Sequence, residues 1–76
     1  MRKNPWRGKV FGQYRNTEMA RDNRYKLVVR NGGPNELFDL RVDAQEKVNQ
    51  YSNPQFLTVR ERLGRELDQW RSSYAS

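Results

Sequence analysis

The sequence predicts an α+β domain, a small antiparallel sheet of three to four strands packed by one C-terminal amphipathic helix. Three observations predict it. Apolar and polar residues alternate in short runs between turn signals over residues 6 to 40. Phe56, Val59, Leu63, Leu67, Trp70 and Tyr74 recur at steps of three and four, the period of a helix. The chain has 76 residues, enough for one domain, and a domain of that size buries only about 60% of its unfolded surface. A helix stripe laid on one sheet face is the two-layer arrangement open to such a chain.

The elements follow in order. "WRGKVFGQYR", residues 6–15, predicts a strand with an aromatic on each face; Gly12 marks a bend or a close backbone approach. Residues 15–17 read as a turn and 18–22 as a short strand. Asp22-Asn23 is a tight-turn pair, because both residues tolerate left-handed geometry. "RYKLVVR", residues 24–30, is a half-buried strand. Tyr25, Leu27 and Val29 take one face; Lys26, Val28 and Arg30 take the other. Asn31-Gly32-Gly33-Pro34 reverses the chain, since glycine supplies positive φ and proline stops the ladder. "ELFDL", residues 36–40, is the return strand, with Glu36, Phe38 and Leu40 on one face and Leu37 and Asp39 on the other. Tyr25, Leu27, Val29, Phe38 and Leu40 are expected to meet the helix.

Residues 42–53 connect sheet to helix. Asp43 followed by Glu46 resembles a capping box and predicts one or two helical turns anchored by Val48 and Tyr51. Asn53 is an N-cap residue and Pro54 suits the first helical position. Arg60, Glu61, Arg65, Asp68 and Arg71 fall opposite the apolar stripe. Glu61 and Arg65 stand four apart in the favoured order, worth about 0.2–0.5 kcal/mol. Gly64 interrupts the helix at a cost of about 1 kcal/mol against alanine.

Composition narrows the chemistry. The chain has no cysteine and no histidine. It therefore has no disulfide, no thiol nucleophile and no imidazole base, and a metal site would use carboxylates and carbonyls alone. No run of 18 apolar residues offers a membrane span, and "MRKNPWRG" lacks the apolar region of a secretory signal. The serines at 52, 72, 73 and 76 have no histidine to activate them, and Gly32-Gly33 precedes a proline and a strand rather than a helix. Asp43 and Glu46 have a capping role, Glu61, Glu66 and Asp68 ride on a helix surface, and Asp39 is expected to pair with Lys26 or Arg24 across the strands. The chain alone is expected to be catalytically inactive, with no cofactor of its own.

The net charge is +6, divided as +7 over residues 1–30 and −1 over residues 31–76. Arg21, Arg24, Lys26 and Arg30 are all cationic, and three of them sit in or next to one strand. They are candidate contacts at the rim of a site for an anionic substrate, weighed against ordinary surface charge with carboxylate partners. "RGKVFGQY", residues 7–14, resembles the basic-aromatic strand of RNA-recognition sheets at Arg7-Gly8, Phe11 and Tyr14. It departs from that pattern at Lys9; the companion strand is expected well upstream, where this sequence has only a few residues, and the helix-rich order of that fold does not appear in the pattern. A free-standing basic module for nucleic acid or another polyanion is the alternative reading.

"RDNRYKLVVRNGGPNELFDLRVDAQEKVN" carries a more extended resemblance. Arg24-Tyr25-Lys26-Leu27, then Glu36-Leu37-Phe38-Asp39-Leu40, then Asp43, Glu46 and Asn49, and a Pro54-led helix reaching Trp70 are similar, in order, to the C-terminal subdomain of the sulfatase family. That family belongs to the alkaline-phosphatase-like superfamily. Ala44, Gln50 and the extra turn residue Asn23 depart from the family pattern. The resemblance spans residues 6 to 71. It implies a non-catalytic subdomain that packs beside an N-terminal catalytic domain of the same protein and shapes the substrate's access. Sulfate esters would be the parent's substrates, and calcium with a formylglycine, made within Cys/Ser-x-Pro-x-Arg, would be held by that catalytic domain. A bacterial periplasmic or extracellular setting fits many members of the family. The resemblance also implies an exposed apolar patch where the catalytic domain docks.

Overall fold

The computed structural model describes residues 9–75, with the side chains of residues 9–73. Four strands, β1 (Val10–Tyr14), β2 (Thr17–Arg21), β3 (Tyr25–Arg30) and β4 (Glu36–Asp39), precede one helix. They form an antiparallel meander in the order β1-β2-β3-β4, each strand pairing with its sequence neighbour. After a turn of 3-10 helix at Pro54–Phe56 comes the α-helix Leu57–Ala75, termed α1. The α+β expectation holds, with four strands. Residues 6–8 of the first expected strand lie outside the described residues, as does the side chain of Tyr74.

Turn chemistry sets the meander. A two-residue loop, Arg15-Asn16, joins β1 to β2, with Tyr14 opposite Thr17. Arg15 sits at φ 56°, in the left-handed region that costs a side-chain-bearing residue about 1–2 kcal/mol. The next turn is held by Asp22, whose Oδ1 accepts the Arg24 and Tyr25 N–H groups at 2.8 and 2.7 Å. In the third, Gly32 and Gly33 take φ 96° and 63°, and Asn35 Oδ1 accepts the Arg30 N–H at 2.9 Å.

The register assigns the two sheet faces. Opposed residues share a face, so Phe11, Ala20, Leu27 and Leu37 make one row toward the helix. Leu27, Leu37 and Leu63 form the core, with Tyr25, Val29, Tyr51, Phe56 and Val59 packed around them. Leu67 is buried, Trp70 stacks on Phe11 at 5.4 Å, and Phe56 meets Tyr25 edge-on at 6.3 Å. The helix stripe thus packs as its spacing predicts. Each fully buried leucine contributes about 1.5–3 kcal/mol.

One strand departs from expectation. Leu37, not Phe38 or Leu40, joins Leu27 beneath the helix, because Leu37 lies opposite Leu27 and Phe38 opposite Lys26. Phe38 is buried on the outer face with Val28. Residues 42–53 hold no helix. The Asp43 carboxylate does cap, but it accepts the Lys47 and Val48 N–H groups at 3.0 and 2.9 Å, while Glu46 at φ 59° turns the chain out of any helical path. Val48 is exposed rather than an anchor; Tyr51 does reach the core.

The start of the helix is explained locally. Asn53 Oδ1 accepts the Gln55 N–H at 3.0 Å, and Pro54 opens the first turn, as expected. The polar face is less uniform than its spacing suggests. The ion pair four residues apart is Arg62–Glu66, at 3.5 Å, rather than Glu61–Arg65. Arg71 reaches back to the sheet and grips Glu18. Arg62 does the same to Asp22 at 3.2 Å, and Lys9 meets Glu66 at 3.3 Å.

Candidate functional site

The four basic residues singled out in the sequence do not converge. Arg21 ends β2 directly opposite Lys26, exposed and with no ion pair among the described residues. Arg24 lies in the turn before β3, its guanidinium 4.9 Å from the Tyr25 ring centroid. It clasps Asp39 through Nε at 3.3 Å and Nη2 at 3.2 Å. Lys26 binds both oxygens of Glu46, at 3.0 and 3.2 Å. Arg30 donates from Nη1 to Glu36 at 2.9 Å and to the Pro34 carbonyl at 3.1 Å. Lys26 and Arg30 stand four residues apart on β3, about 13 Å along the strand. Of the four, Arg30 lines the cleft described below, at one end of the sheet, while Arg21 lines a separate hollow with Lys9, Val10 and Asn23. Asp39 takes Arg24, one of its two expected partners, and Lys26 takes a loop acid that strand pairing did not suggest.

Carboxylates are largely committed to structure. The Arg71 hydrogen bond holds Glu18 below the usual range despite some burial. Burial pushes Asp22 upward, but the Tyr25 and Arg24 amides and Arg62 outweigh it and leave the group lowered. Arg24 lowers Asp39, helped by the Arg41 amide. The Lys47 and Val48 amides lower Asp43. Each of these groups is therefore a firm anion at neutral pH and a poor proton acceptor. Among the described residues no three carboxylates gather as a metal ion would require. Ser52-Asn53-Pro54 is followed by Gln55-Phe56, so the formylglycine motif lacks its arginine. The residues present do not fit either group.

The two edges of the sheet differ. Beyond β4, Asn49 Oδ1 accepts the Leu37 N–H at 3.0 Å, Asn49 Nδ2 donates to the Asn35 carbonyl at 3.1 Å, and the Gln50 N–H reaches the Leu37 carbonyl at 2.7 Å. A side-chain amide and one backbone amide do there what a fifth strand would do. Among the described residues β1 pairs only with β2. Alternate N–H and C=O groups of β1 point outward. Val10 and Tyr14 share its outer face, and Tyr14 is 71% exposed. Val42, at 78%, Val48 and Leu57 are the other large apolar residues left open. Phe11 and Tyr14, the aromatics that resemble an RNA-stacking pair, lie on opposite faces, one against Trp70 and the other toward solvent.

A cleft of about 450 Å³ opens at the far end of the sheet. Gln13, Glu18 and Val29, successive partners across β1, β2 and β3, make its floor. The Arg15-Asn16 and Asn31-Gly32 turns make its rim, with Arg30 alongside. Two bonds fasten the turns together: the Asn31 N–H to the Asn16 carbonyl at 2.9 Å, and Asn16 Nδ2 to the Asn31 carbonyl at 3.3 Å. Sequence reading placed the turns but not the cleft, because its walls are 15 residues apart in the chain. Their spatial neighbourhood follows only from the register.

Compared with known proteins, the sequence matches no family model and no curated relative. No described helix is long and apolar enough to cross a membrane.

Proposed function

We propose that this chain is a non-catalytic scaffold and docking subdomain of the sulfatase kind, packing beside a catalytic domain of the same protein and shaping access to its sulfate-ester substrate. One observation carries the reading. The residues that resemble the sulfatase pattern are the ones that hold this fold together. Arg24 clasps Asp39. Tyr25, Leu27 and Leu37 build the core under the helix. Asp43 shapes the loop and Asn49 seals the β4 edge. A set of residues with a joint structural reason is a coherent scaffold signature, whereas isolated matches are not. The open β1 edge with exposed Val10 and Tyr14 supplies a surface on which such a subdomain docks.

Polyanion binding is less well supported. Lys9, Arg24, Lys26, Arg30, Arg62 and Arg71 each face a carboxylate, which takes their charge away from an outside partner.

The test is the coding frame. Sequencing the transcript upstream of the Met1 codon is expected to find an in-frame catalytic domain carrying Cys/Ser-x-Pro-x-Arg. An in-frame stop immediately upstream, together with salt-dependent filter binding of RNA at about 100 mM salt, would replace this reading with the polyanion module.

A further inference from the structure

We propose that Asn31 is a self-modifying site, where the chain turns its own side-chain amide into a carboxylate through attack by the Gly32 backbone nitrogen. This goes beyond the docking role and does not depend on it.

The chemistry needs only water. The Gly32 nitrogen loses its proton to hydroxide and bonds to Asn31 Cγ; the Cγ–Nδ2 bond breaks and ammonia leaves. The five-membered imide so formed takes up water at one of its two carbonyls. Opening at Cγ leaves aspartate. Opening at the former main-chain carbonyl leaves isoaspartate, with an added methylene in the main chain. The sum is amide plus water giving carboxylate plus ammonium, with nothing oxidised or reduced. The step is favoured by a side-chain amide that nothing holds and a following N–H that nothing holds. It also needs the following residue to leave the approach open, which glycine does by lacking a Cβ.

The sequence has seven asparagines, and the structure separates them. Asn4 and Asn53 precede proline, which has no N–H to attack with. Asn16 and Asn35 have engaged side chains, donating to the Asn31 carbonyl and accepting the Arg30 N–H, and ladder residues follow them. Asn49 is held by the Leu37 N–H and the Asn35 carbonyl, and the Gln50 N–H after it goes to the Leu37 carbonyl. Asn23 is followed by Arg24, whose N–H goes to Asp22 at 2.8 Å. Asn31 meets every condition. It is exposed, and among the described residues its hydrogen bonds run through its main chain, to Asn16, and not through its side chain. The Gly32 N–H has no acceptor among the described residues, whereas the Gly33 N–H bonds the Arg30 carbonyl at 2.9 Å. No atom lies within 4 Å of where a Cβ on Gly32 would stand. The Asn31 carbonyl also accepts from Asn16 Nδ2 at 3.3 Å. That bond draws electrons from the Gly32 nitrogen in the same peptide unit and eases the loss of its proton. The product lowers the net charge of +6 by one.

The experiment incubates the folded full chain at mildly alkaline pH and body temperature. Cation-exchange chromatography follows its charge, and mass spectrometry of peptides cut at acid pH locates the change. A species short of one positive charge is expected, forming faster as pH is raised. More than half of the new acid should map to residue 31, as aspartate and isoaspartate together. Both are the mark of the imide, since direct hydrolysis gives aspartate alone. Asn31→Gln would have to close a six-membered ring instead, so it should abolish this species while melting as the parent does. Acid spread evenly over the asparagines, or aspartate without isoaspartate, would overturn the proposal. So would an Asn31→Gln variant that reacts at the parent's rate, or one that melts lower, which would mean that the Asn31 side chain is held after all. A folded chain that stays unmodified while its urea-unfolded form reacts would overturn it too, because the turn would then protect the site. Each of these failures leaves the coding-frame test of the docking role standing.

Discussion

Replacing Gly64 with alanine is expected to stabilise this protein. Gly64 lies within α1, eight residues into it. A Cβ built there meets no atom within 4 Å, and its φ is not in the left-handed region. Neither of the usual reasons for a helical glycine, close packing or positive φ, is present in the chain. The substitution then gains the full difference in helix propensity, about 0.8–1.0 kcal/mol, with no clash to offset it. For a chain of 76 residues, an unfolding entropy of about 2.1 cal/mol/K per residue converts this to a rise of about 5–6 °C in melting temperature. Thermal melts followed by circular dichroism at 222 nm, at equal protein concentration, are the assay. An unchanged or lower melting temperature would refute the reasoning, since it would mean that the space beside Gly64 is filled or that residue 64 is not helical.

Other expectations follow from the same structure. Leu63→Ala, at a fully buried site, should cost about 2–5 kcal/mol in denaturant unfolding; a loss near zero would detach the helix from the core. Asn49→Ala should cost about 1–3 kcal/mol, because it strands the Leu37 N–H and the Asn35 carbonyl, and hydrogen exchange should speed up at Leu37. Glu18, Asp22 and Asp39 are all held below their usual values. Their contribution is present above the unfolded carboxylate values, about 3.9–4.3, and is lost as pH falls through the lower folded ones. Melting temperature should therefore be flat above about pH 5 and fall steadily below about pH 4. Asp39→Asn should flatten that acid limb. The chain alone should turn over an aryl sulfate no faster than a buffer blank, with or without calcium; turnover above the blank would overturn the non-catalytic assignment.

The helix and the meander were legible because several independent signals agreed at each. Asn53, Pro54 and the spacing from Phe56 to Trp70 all point to one helix, and Asp22-Asn23 and Gly32-Gly33-Pro34 both carry turn chemistry. Legibility failed where two residues satisfied the same rule. Leu37 and Phe38 are adjacent and equally apolar, so composition does not decide which lies under the helix; pairing with Leu27 does. Asp43 carries the same signal for a helix cap and for a turn that grips its own amides, and the backbone at Glu46 selects the turn. The scattered basic residues found acids that strand order did not show, as Lys26 found Glu46. The cleft was the least legible feature. Its walls are far apart in the chain, and only the strand register brings them together.

The unequal borders of the sheet limit how copies of this protein associate. A ribbon that offers hydrogen bonds on both sides adds neighbours without end and grows into a fibre. Here Asn49 and Gln50 occupy one side, so stacking through β1 joins two molecules and then has nowhere left to propagate. Concentrated solutions should yield, at most, a closed pair of twofold symmetry rather than a growing filament.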